Sequence, residues 1–173
     1  MRLKTILAAA LVAAAASTTA APAHAHGDHS IGHTDNFGLG IVLGYPDVGL
    51  SINYFLTHKI SLEIDLAFRV YNHYSNVGGR FDLLFWPSRL ADFDGADLRW
   101  FIGPGVRFGV GRHGNAEEPG FGVEVPIGIG IAFDRTPIDI NVAAVPYLDL
   151  YNSPYANGAY LSVAGALTAH YYF

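Results

Sequence analysis

Cysteine is absent from the 173-residue sequence, so neither a disulfide framework nor thiolate chemistry is available to it. Charged residues make up only 14% of the chain, although 51% of its residues are hydrophobic. No stretch beyond residue 25 has about 18 consecutive apolar residues, which excludes a membrane protein built from helices. Strands with alternating apolar and polar residues reconcile the high apolar content with the lack of long apolar runs.

The first 25 residues have the features of a secretory signal peptide. Arg2 and Lys4 precede an apolar run over 6–16, and the cleavage site fits Ala25, with Ala23 as a second candidate. Cleavage after Ala25 leaves 148 residues, enough for one domain, with eight basic and fifteen acidic residues and a net charge of −7. This excess of negative charge argues against binding to nucleic acid or to an anionic lipid surface.

Glycine and proline divide the mature chain into eight segments in which side chains alternate in character. The pattern predicts strands over 36–44, 49–56, 60–71, 79–86, 97–112, 121–134, 138–151 and 159–173. Three turns follow at 57–59, 87–96 and 135–137, and four loops at 45–48, 72–78, 113–120 and 152–158. In each predicted strand one face is almost wholly apolar, and the charged residues lie on the other face.

Residue size indicates which face is inside. Bulky side chains occupy the apolar face, whereas the polar face is rich in glycine, at Gly38, Gly40, Gly103, Gly105, Gly109, Gly111, Gly128 and Gly130. An eight-stranded barrel has room only for side chains inside, so the small and charged residues belong in the interior. A soluble barrel with an apolar interior, such as a lipocalin, is the alternative. We therefore predict an all-β fold, an eight-stranded antiparallel transmembrane barrel with up-and-down connections, over residues 36–173.

The end of the chain adds a second indication, because its strand pattern closes on an aromatic residue. The apolar positions of this strand are Leu167, Ala169, Tyr171 and Phe173. Several stretches resemble a small family of uncharacterised outer-membrane β-barrels of the OmpA/OmpX type: 38–46, 101–108, 122–128, 144–150 and 170–173. The resemblance implies a barrel of the bacterial outer membrane, with no reaction and no cofactor, whose last strand carries the signature read by the barrel-assembly machinery.

Ten charged residues fall on the predicted inner face. They are Glu63, Asp65, Arg69, Arg80, Asp82, Arg99, Arg107, Glu124, Asp139 and Asp149. Because buried charges must be paired or neutralised, we expect a salt-bridge network that plugs the interior. A narrow path for ions or protons is the functional alternative.

A possible hydrolase element lies in the predicted second loop. His73, Ser75 and Asn76 resemble the His-x-Ser-Asn element of outer-membrane lipid A deacylases, in which histidine activates serine. In that family the element lies late in the chain, whereas here it lies in the middle. The carboxylate expected about a dozen residues later would fall near Pro87, and Asp82 is predicted to point inward. A lipid A-modifying hydrolase is therefore retained only as an alternative.

The segment 26–35 forms a histidine-rich tail before the predicted barrel. Imidazole and carboxylate groups suit zinc, copper or nickel, and the tail carries His26, Asp28, His29, His33 and Asp35. A terminal segment with scattered histidines is more often a solvated linker, so we assign no metal site.

Together these patterns predict a non-catalytic, monomeric protein of the bacterial outer membrane, with a structural or surface-exposed role. Its expected partners are outer-membrane lipids, lipopolysaccharide and, during biogenesis, the barrel-assembly machinery. No cofactor and no nucleic acid are expected.

Overall fold

The computed structural model describes residues 36–44, 48–71, 74–113, 116–153 and 156–173. Side chains are described for these ranges except at 69–71, 74–76, 111–113, 116–118, 151–153 and 156–158. The expected signal peptide and histidine-rich tail, residues 1–35, lie outside the described part of the chain. No helix that could cross a membrane is found in the described ranges.

A single antiparallel sheet of eleven strands makes up the fold. The strands are β1 (Phe37–Gly44), β2 (Val48–Thr57), β3 (Ile60–Tyr71), β4 (Tyr74–Phe85), β5 (Arg89–Phe93), β6 (Ala96–Ile102), β7 (Gly105–His113), β8 (Ala116–Glu124), β9 (Ile127–Phe133), β10 (Ile138–Ser153) and β11 (Ala156–Tyr172). Their order is β11-β1-β2-β3-β4-β7-β8-β10-β9-β6-β5, with additional β11–β10 and β4–β6 pairings. The prediction of an all-β antiparallel fold is confirmed, and the additional pairings give the sheet partial ring closure.

Two of the three additional strands arise where proline interrupts a predicted strand. The segment 97–112 is divided at Pro104 into β6 and β7, and the segment 121–134 is divided at Pro126 into β8 and β9. Proline has no N–H to donate to the ladder, which ends regular pairing at each position. The unbroken alternation of side chains predicts one continuous strand in each segment.

The ladder nevertheless continues across these interruptions through the carbonyl groups of three prolines. Leu83 N donates to Pro104 O at 3.0 Å, Gly103 N to Pro126 O at 3.1 Å, and Val125 N to Pro146 O at 3.0 Å. The prolines therefore accept hydrogen bonds from neighbouring strands at successive positions across the sheet. As a result β6 continues the direction of β7, and β9 continues the direction of β8, without a gap in the sheet.

The third additional strand, β5, lies within the segment predicted as a long turn, 87–96. It pairs with β6 through a hairpin whose turn residues are Asp94 and Gly95. Gly95 has a φ of 93°, a conformation that glycine adopts without steric cost. Asp-Gly is a strong signal for a two-residue hairpin turn, and the sequence prediction missed it.

Three hairpins are also tighter than predicted. The strands β4, β8 and β11 begin at Tyr74, Ala116 and Ala156, whereas the predicted strands begin at 79, 121 and 159. Each of these strands continues pairing with the strand before it up to its first residue. The glycines of these segments read as loop residues in the sequence, but a neighbouring strand supplies their backbone partners.

The register can be followed around the sheet from one pair of residues to the next. Starting at β10, the row runs through Asp139, His170, Gly40, Ser51, Asp65, Arg80, Arg107, Gly122 and Asp149. The row thus returns to β10, but at position 149 instead of 139. We call this set of nine residues the polar row.

The two faces of the sheet differ in a way opposite to that of a typical soluble protein. On the inner face, seven apolar residues are buried, compared with twelve polar or charged residues among those described. The exposed face instead carries large apolar side chains on most strands, such as Leu39, Ile41, Ile127, Ile129 and Val142.

The buried apolar cluster consists of Phe55, Leu84, Trp86, Phe101 and Tyr172. It lies at the end of the sheet where β1 begins, since Phe55 N donates to Asn36 O at 2.8 Å.

Candidate functional site: the polar interior

Two neighbouring rows of paired residues carry most of the polar side chains of the inner face. One is the polar row defined above. The other, which we call the carboxylate row, consists of Tyr172, Gly38, Asn53, Glu63, Asp82, Gly105, Glu124 and Tyr147. Directly paired residues point to the same face of a sheet, so the register brings these side chains together.

Arg80 lies at the centre of the carboxylates contributed by the two rows. Its Nε donates to Asp65 Oδ2 at 3.0 Å, and Nη2 contacts the same oxygen. Arg80 also lies 3.8 Å from Glu63 Oε1 and 3.9 Å from Glu124 Oε1. One guanidinium therefore faces carboxylates from β3 and β8, and it links these two strands to β4 through charge as well as through the backbone.

Arg107 extends this cluster toward β10. Its guanidinium lies 4.0 Å from Glu124 Oε2 and 3.5 Å from Asp149 Oδ1. The same group lies 4.0 Å from the centre of the Tyr147 ring, which is a cation–π distance. Gly122 makes room for this arrangement, because a Cβ there would lie 3.0 Å from Arg107 Cγ and 2.7 Å from Asp149 Oδ1.

A second ionic group lies near the β5–β6 hairpin. Asp97 Oδ2 lies 3.3 Å from Arg99 Nη2 and 3.1 Å from Arg89 Nη2. Asp97 is buried, whereas Arg89 is largely exposed. The buried Asp97 was not among the residues predicted to form the network, although it lies on the same predicted strand face as Arg99.

Asp139 has a different kind of partner from the other acids. His170 Nδ1 lies 2.9 Å from Asp139 Oδ1, and the Tyr172 hydroxyl donates to Asp139 Oδ2 at 2.8 Å. His170 Nε2 lies 2.7 Å from Ser51 Oγ, and Asn53 Nδ2 donates to the Tyr172 hydroxyl at 3.0 Å. These five side chains form one continuous hydrogen-bonded chain across β2, β10 and β11.

Ser51, His170 and Asp139 have the connectivity of a nucleophilic triad, in which a carboxylate orients the histidine that activates a serine. Ser51 is fully buried, and His170 and Asp139 are nearly so. A described cavity beside this group has a volume of about 10 Å³, enough for about one water molecule, and it is lined by Asp139 but not by Ser51. The three buried side chains link β2, β11 and β10 through their hydrogen bonds.

An aromatic layer lies next to this chain. Trp86 lies with its ring centre 4.7 Å from that of Phe101 and 5.8 Å from that of Phe55, and Phe55 lies 6.0 Å from Tyr172. The Trp86 indole donates to Ser61 Oγ at 2.9 Å, which satisfies its only donor. The inner face therefore carries aromatic rings at one level and ionic groups at the next.

The residues predicted to form the salt-bridge network have three kinds of environment. Arg80, Arg99 and Arg107 contact the carboxylates Glu63, Asp65, Glu124 and Asp149, together with Asp97. Asp139 contacts His170, and Asp82 contacts no guanidinium within 4.0 Å among the described side chains. The backbone of Arg69 pairs with Asn76, but its side chain lies outside the described part of the chain.

The four residues of the predicted terminal signature lie on the exposed face of β11 or directly after it. Leu167 pairs with Leu43, Ala169 with Ile41 and Tyr171 with Leu39. Phe173 follows the strand and donates its backbone N–H to Phe37 O at 2.9 Å. These four residues thus border β1, where the last strand meets the first.

The residues of the predicted hydrolase element and of the histidine-rich tail lie wholly or partly outside the described part of the chain. His73 lies outside the described residues, and only the backbone of Ser75 and Asn76 is described. The tail residues His26, Asp28, His29, His33 and Asp35 also lie outside the described ranges. Where side chains are described, no group of three or more histidine, cysteine or acidic residues is arranged to hold a metal ion.

Sequence reasoning missed the residues that form the Asp139 chain, namely Ser51, Asn53, His170 and Tyr172. Each lies on the polar side of its strand's alternation, which is a usable signal for the inner face. Their mutual contact depends on a register that pairs positions more than a hundred residues apart, such as 51 with 170. Periodicity within a single strand contains no information about that register.

The search of curated proteins finds no match to this sequence. The model of a family described as "Protein of unknown function (DUF3996)" matches residues 29–171, so the chain belongs to that family.

Proposed function

We propose that this chain is a non-catalytic β-barrel of the bacterial outer membrane, whose interior is closed by ionic and aromatic side chains. The observation that carries the proposal is the distribution of side chains between the two faces. Twelve polar or charged side chains are buried among the described residues, while large apolar side chains cover the exposed face. In water such an apolar surface would drive association, whereas in a bilayer it contacts acyl chains.

The pairing pattern supports a barrel whose wall has eight strand positions. Three positions hold two strands each, β4 with β5, β7 with β6 and β8 with β9. The other five positions hold β1, β2, β3, β10 and β11. The polar row returns to β10 ten residues beyond its start, from Asp139 to Asp149. A stagger of this kind is required when tilted strands close into a barrel, and eight strands enclose a space that side chains can fill.

Aromatic residues support a membrane boundary at the end where β1 begins. The exposed rings of Phe37 and Phe173 lie 6.5 Å apart, and Phe85 is also exposed near this end. Trp100 lies on the same outer side of β6, and its indole donates to Ser88 Oγ at 3.1 Å. Aromatic rings with polar tips are enriched at the interface between lipid and water.

The filled interior supports a structural or surface-exposed role instead of transport. Arg80, Arg107 and the acids around them occupy the middle of the inner face, and Trp86 with Phe55 and Phe101 occupies the next level. On this proposal the protein is a monomer whose partners are outer-membrane lipids, lipopolysaccharide and the assembly machinery that recognises its last strand. The export signal expected over residues 1–25 and the resemblance to OmpA/OmpX-type barrels support the outer-membrane location. No specific observation favours the lipid A hydrolase or the narrow channel.

The experiment that tests the proposal is refolding of residues 26–173 into detergent micelles and lipid vesicles. A barrel should resist the gel detergent when unheated and migrate differently after boiling. In a planar bilayer the refolded protein should give no steady, reproducible conductance. A protein that is monodisperse and well structured in buffer without detergent would contradict the membrane assignment, and a steady pore would contradict the closed interior.

A further inference from the structure

Asp82 and Glu124 are the two acids among the described residues whose carboxylate oxygens are both buried and both lack a donor. Asp82 is 1% exposed and Glu124 is 2% exposed. Among the described residues, all four of their carboxylate oxygens lack a hydrogen-bond partner. Buried polar groups are nearly always hydrogen-bonded, so four such oxygens in two residues of one row require an explanation.

A single glycine separates Asp82 from Glu124 in the carboxylate row. In the carboxylate row Asp82 pairs with Gly105, and Gly105 pairs with Glu124. A Cβ at Gly105 would fall on Asp82 Oδ1 and lie 3.1 Å from Glu124 Cγ. The Asp82 carboxylate and the Glu124 side chain therefore border the same space above Gly105. Two ionised carboxylates are both acceptors, so the two groups can form a hydrogen bond only if a proton lies between them.

Among the described side chains, the surrounding charges do not neutralise both acids. From β3, Glu63 is the partner of Asp82 in the same row, and it adds a further negative group. Arg80 on β4 bonds to Asp65 and lies 3.9 Å from Glu124, and Arg107 on β7 lies 4.0 Å from Glu124. On β10 the partner of Glu124 is the neutral Tyr147. The cations are thus shared with other acids, and neither contacts Asp82.

We propose that Asp82 and Glu124 share a single proton. Asp82 is then a neutral carboxylic acid whose O–H donates to the ionised carboxylate of Glu124, and the pair carries one negative charge instead of two. Two carboxylates in one buried site cannot both ionise without a large electrostatic penalty, and sharing one proton removes it. The remaining charge lies on Glu124, the member that faces Arg80 and Arg107.

The shared proton does not depend on whether the exposed face lies in lipid. It depends only on the register that places Asp82, Gly105 and Glu124 in one row. The site binds a proton in the folded chain and has no counterpart in an unfolded chain, where the two acids are far apart. Failure of the membrane assignment would therefore leave it intact.

Infrared spectroscopy of the folded protein at neutral pH tests the proposal. The unmodified chain should show a C=O stretch of a protonated carboxyl group that shifts when water is replaced by heavy water. The band should lose intensity in Asp82→Asn and in Glu124→Gln, because each variant removes one of the two carboxyl groups between which the proton lies. It should persist in Asp149→Asn, which removes a carboxylate that faces Arg107. The measurement on the unmodified chain stands even if a variant fails to fold.

Two outcomes would overturn the shared proton. One is the absence of a protonated-carboxyl band from the folded, unmodified chain; if calcium or sodium ions then raise the unfolding midpoint, the pair holds a metal ion instead. The other is a band that keeps its full intensity in both Asp82→Asn and Glu124→Gln, which would assign the proton to another acid.

Discussion

His170 and Asp139 face each other directly across the β10–β11 pair, with 2.9 Å between Nδ1 and Oδ1. Tyr172 donates to the other oxygen of the same carboxylate, so both oxygens of this buried acid have a partner. His170 in turn reaches Ser51 on β2, two strands away across β1. Side-chain contacts thereby join β11 to β2 and β10, in addition to its backbone ladders with β1 and β10.

Removing the His170 imidazole should lower the free energy of unfolding, because buried polar groups lose their hydrogen-bond partner. In His170→Leu the volume is retained, but Asp139 Oδ1 and Ser51 Oγ both lose their partner. We expect a loss of about 1–3 kcal/mol in the free energy of unfolding, the cost of leaving buried polar groups unsatisfied. Urea unfolding followed by tryptophan fluorescence measures it.

Ser51→Ala provides the matched control, because Asp139 keeps both partners in that variant. Its loss should be smaller than that of His170→Leu. If both variants lower the free energy of unfolding by the same amount, the bond between His170 and Asp139 makes no separate contribution to stability.

The sequence predicts the polarity of each strand but not the contacts between strands. Alternation places His170, Ser51 and Asp139 on the polar side of their strands, and this follows from a period of two alone. Their meeting depends on long-range register, which is set by all the pairs of the sheet together. The proline interruptions have a different origin: Pro104 and Pro126 fit the alternation, and only the hydrogen-bond requirement of the ladder reveals them as breaks.

Arg80 should be the most sensitive cation of the interior. Arg80→Met keeps much of the side-chain volume but removes the only guanidinium bonded to Asp65 among the described residues, and it leaves Glu63 and Glu124 less compensated. Breaking a buried ion pair by removing one partner costs about 3–5 kcal/mol. The measurement is the same urea titration.

Arg89→Met is the control for this change, because Arg89 also contacts a carboxylate but its side chain is 57% exposed, compared with 17% for Arg80. An exposed ion pair contributes about 0–1 kcal/mol, so this variant should unfold close to the unmodified chain. Similar losses in both variants would show that burial does not determine the contribution of these pairs.

Glycine should be required for stability where the side chains of the carboxylate row are most crowded. A methyl group at Gly105 would collide with the Asp82 carboxylate, whereas a methyl group at Gly165 meets nothing within 4 Å. Gly105→Ala should lower the free energy of unfolding by about 1–3 kcal/mol, as overpacking of a filled interior does. Gly165→Ala should change it by less than about 0.5 kcal/mol, as an open surface position does. Equal effects at the two positions would contradict the packing described for the inner face.

The exposed face gives the prediction that depends most directly on lipid. Ile41 lies near the middle of β1 and is 49% exposed, and Phe93 lies at the β5–β6 hairpin and is 56% exposed. If the apolar face lies in a bilayer, Ile41→Arg should cost about 2–4 kcal/mol, and Phe93→Arg, near the interface, about 0–1 kcal/mol. Unfolding from lipid vesicles measures both variants. In water, a half-exposed isoleucine replaced by arginine should change stability by about 0.5 kcal/mol or less. A small, equal effect at the two positions would therefore place the apolar face in solvent or against another protein.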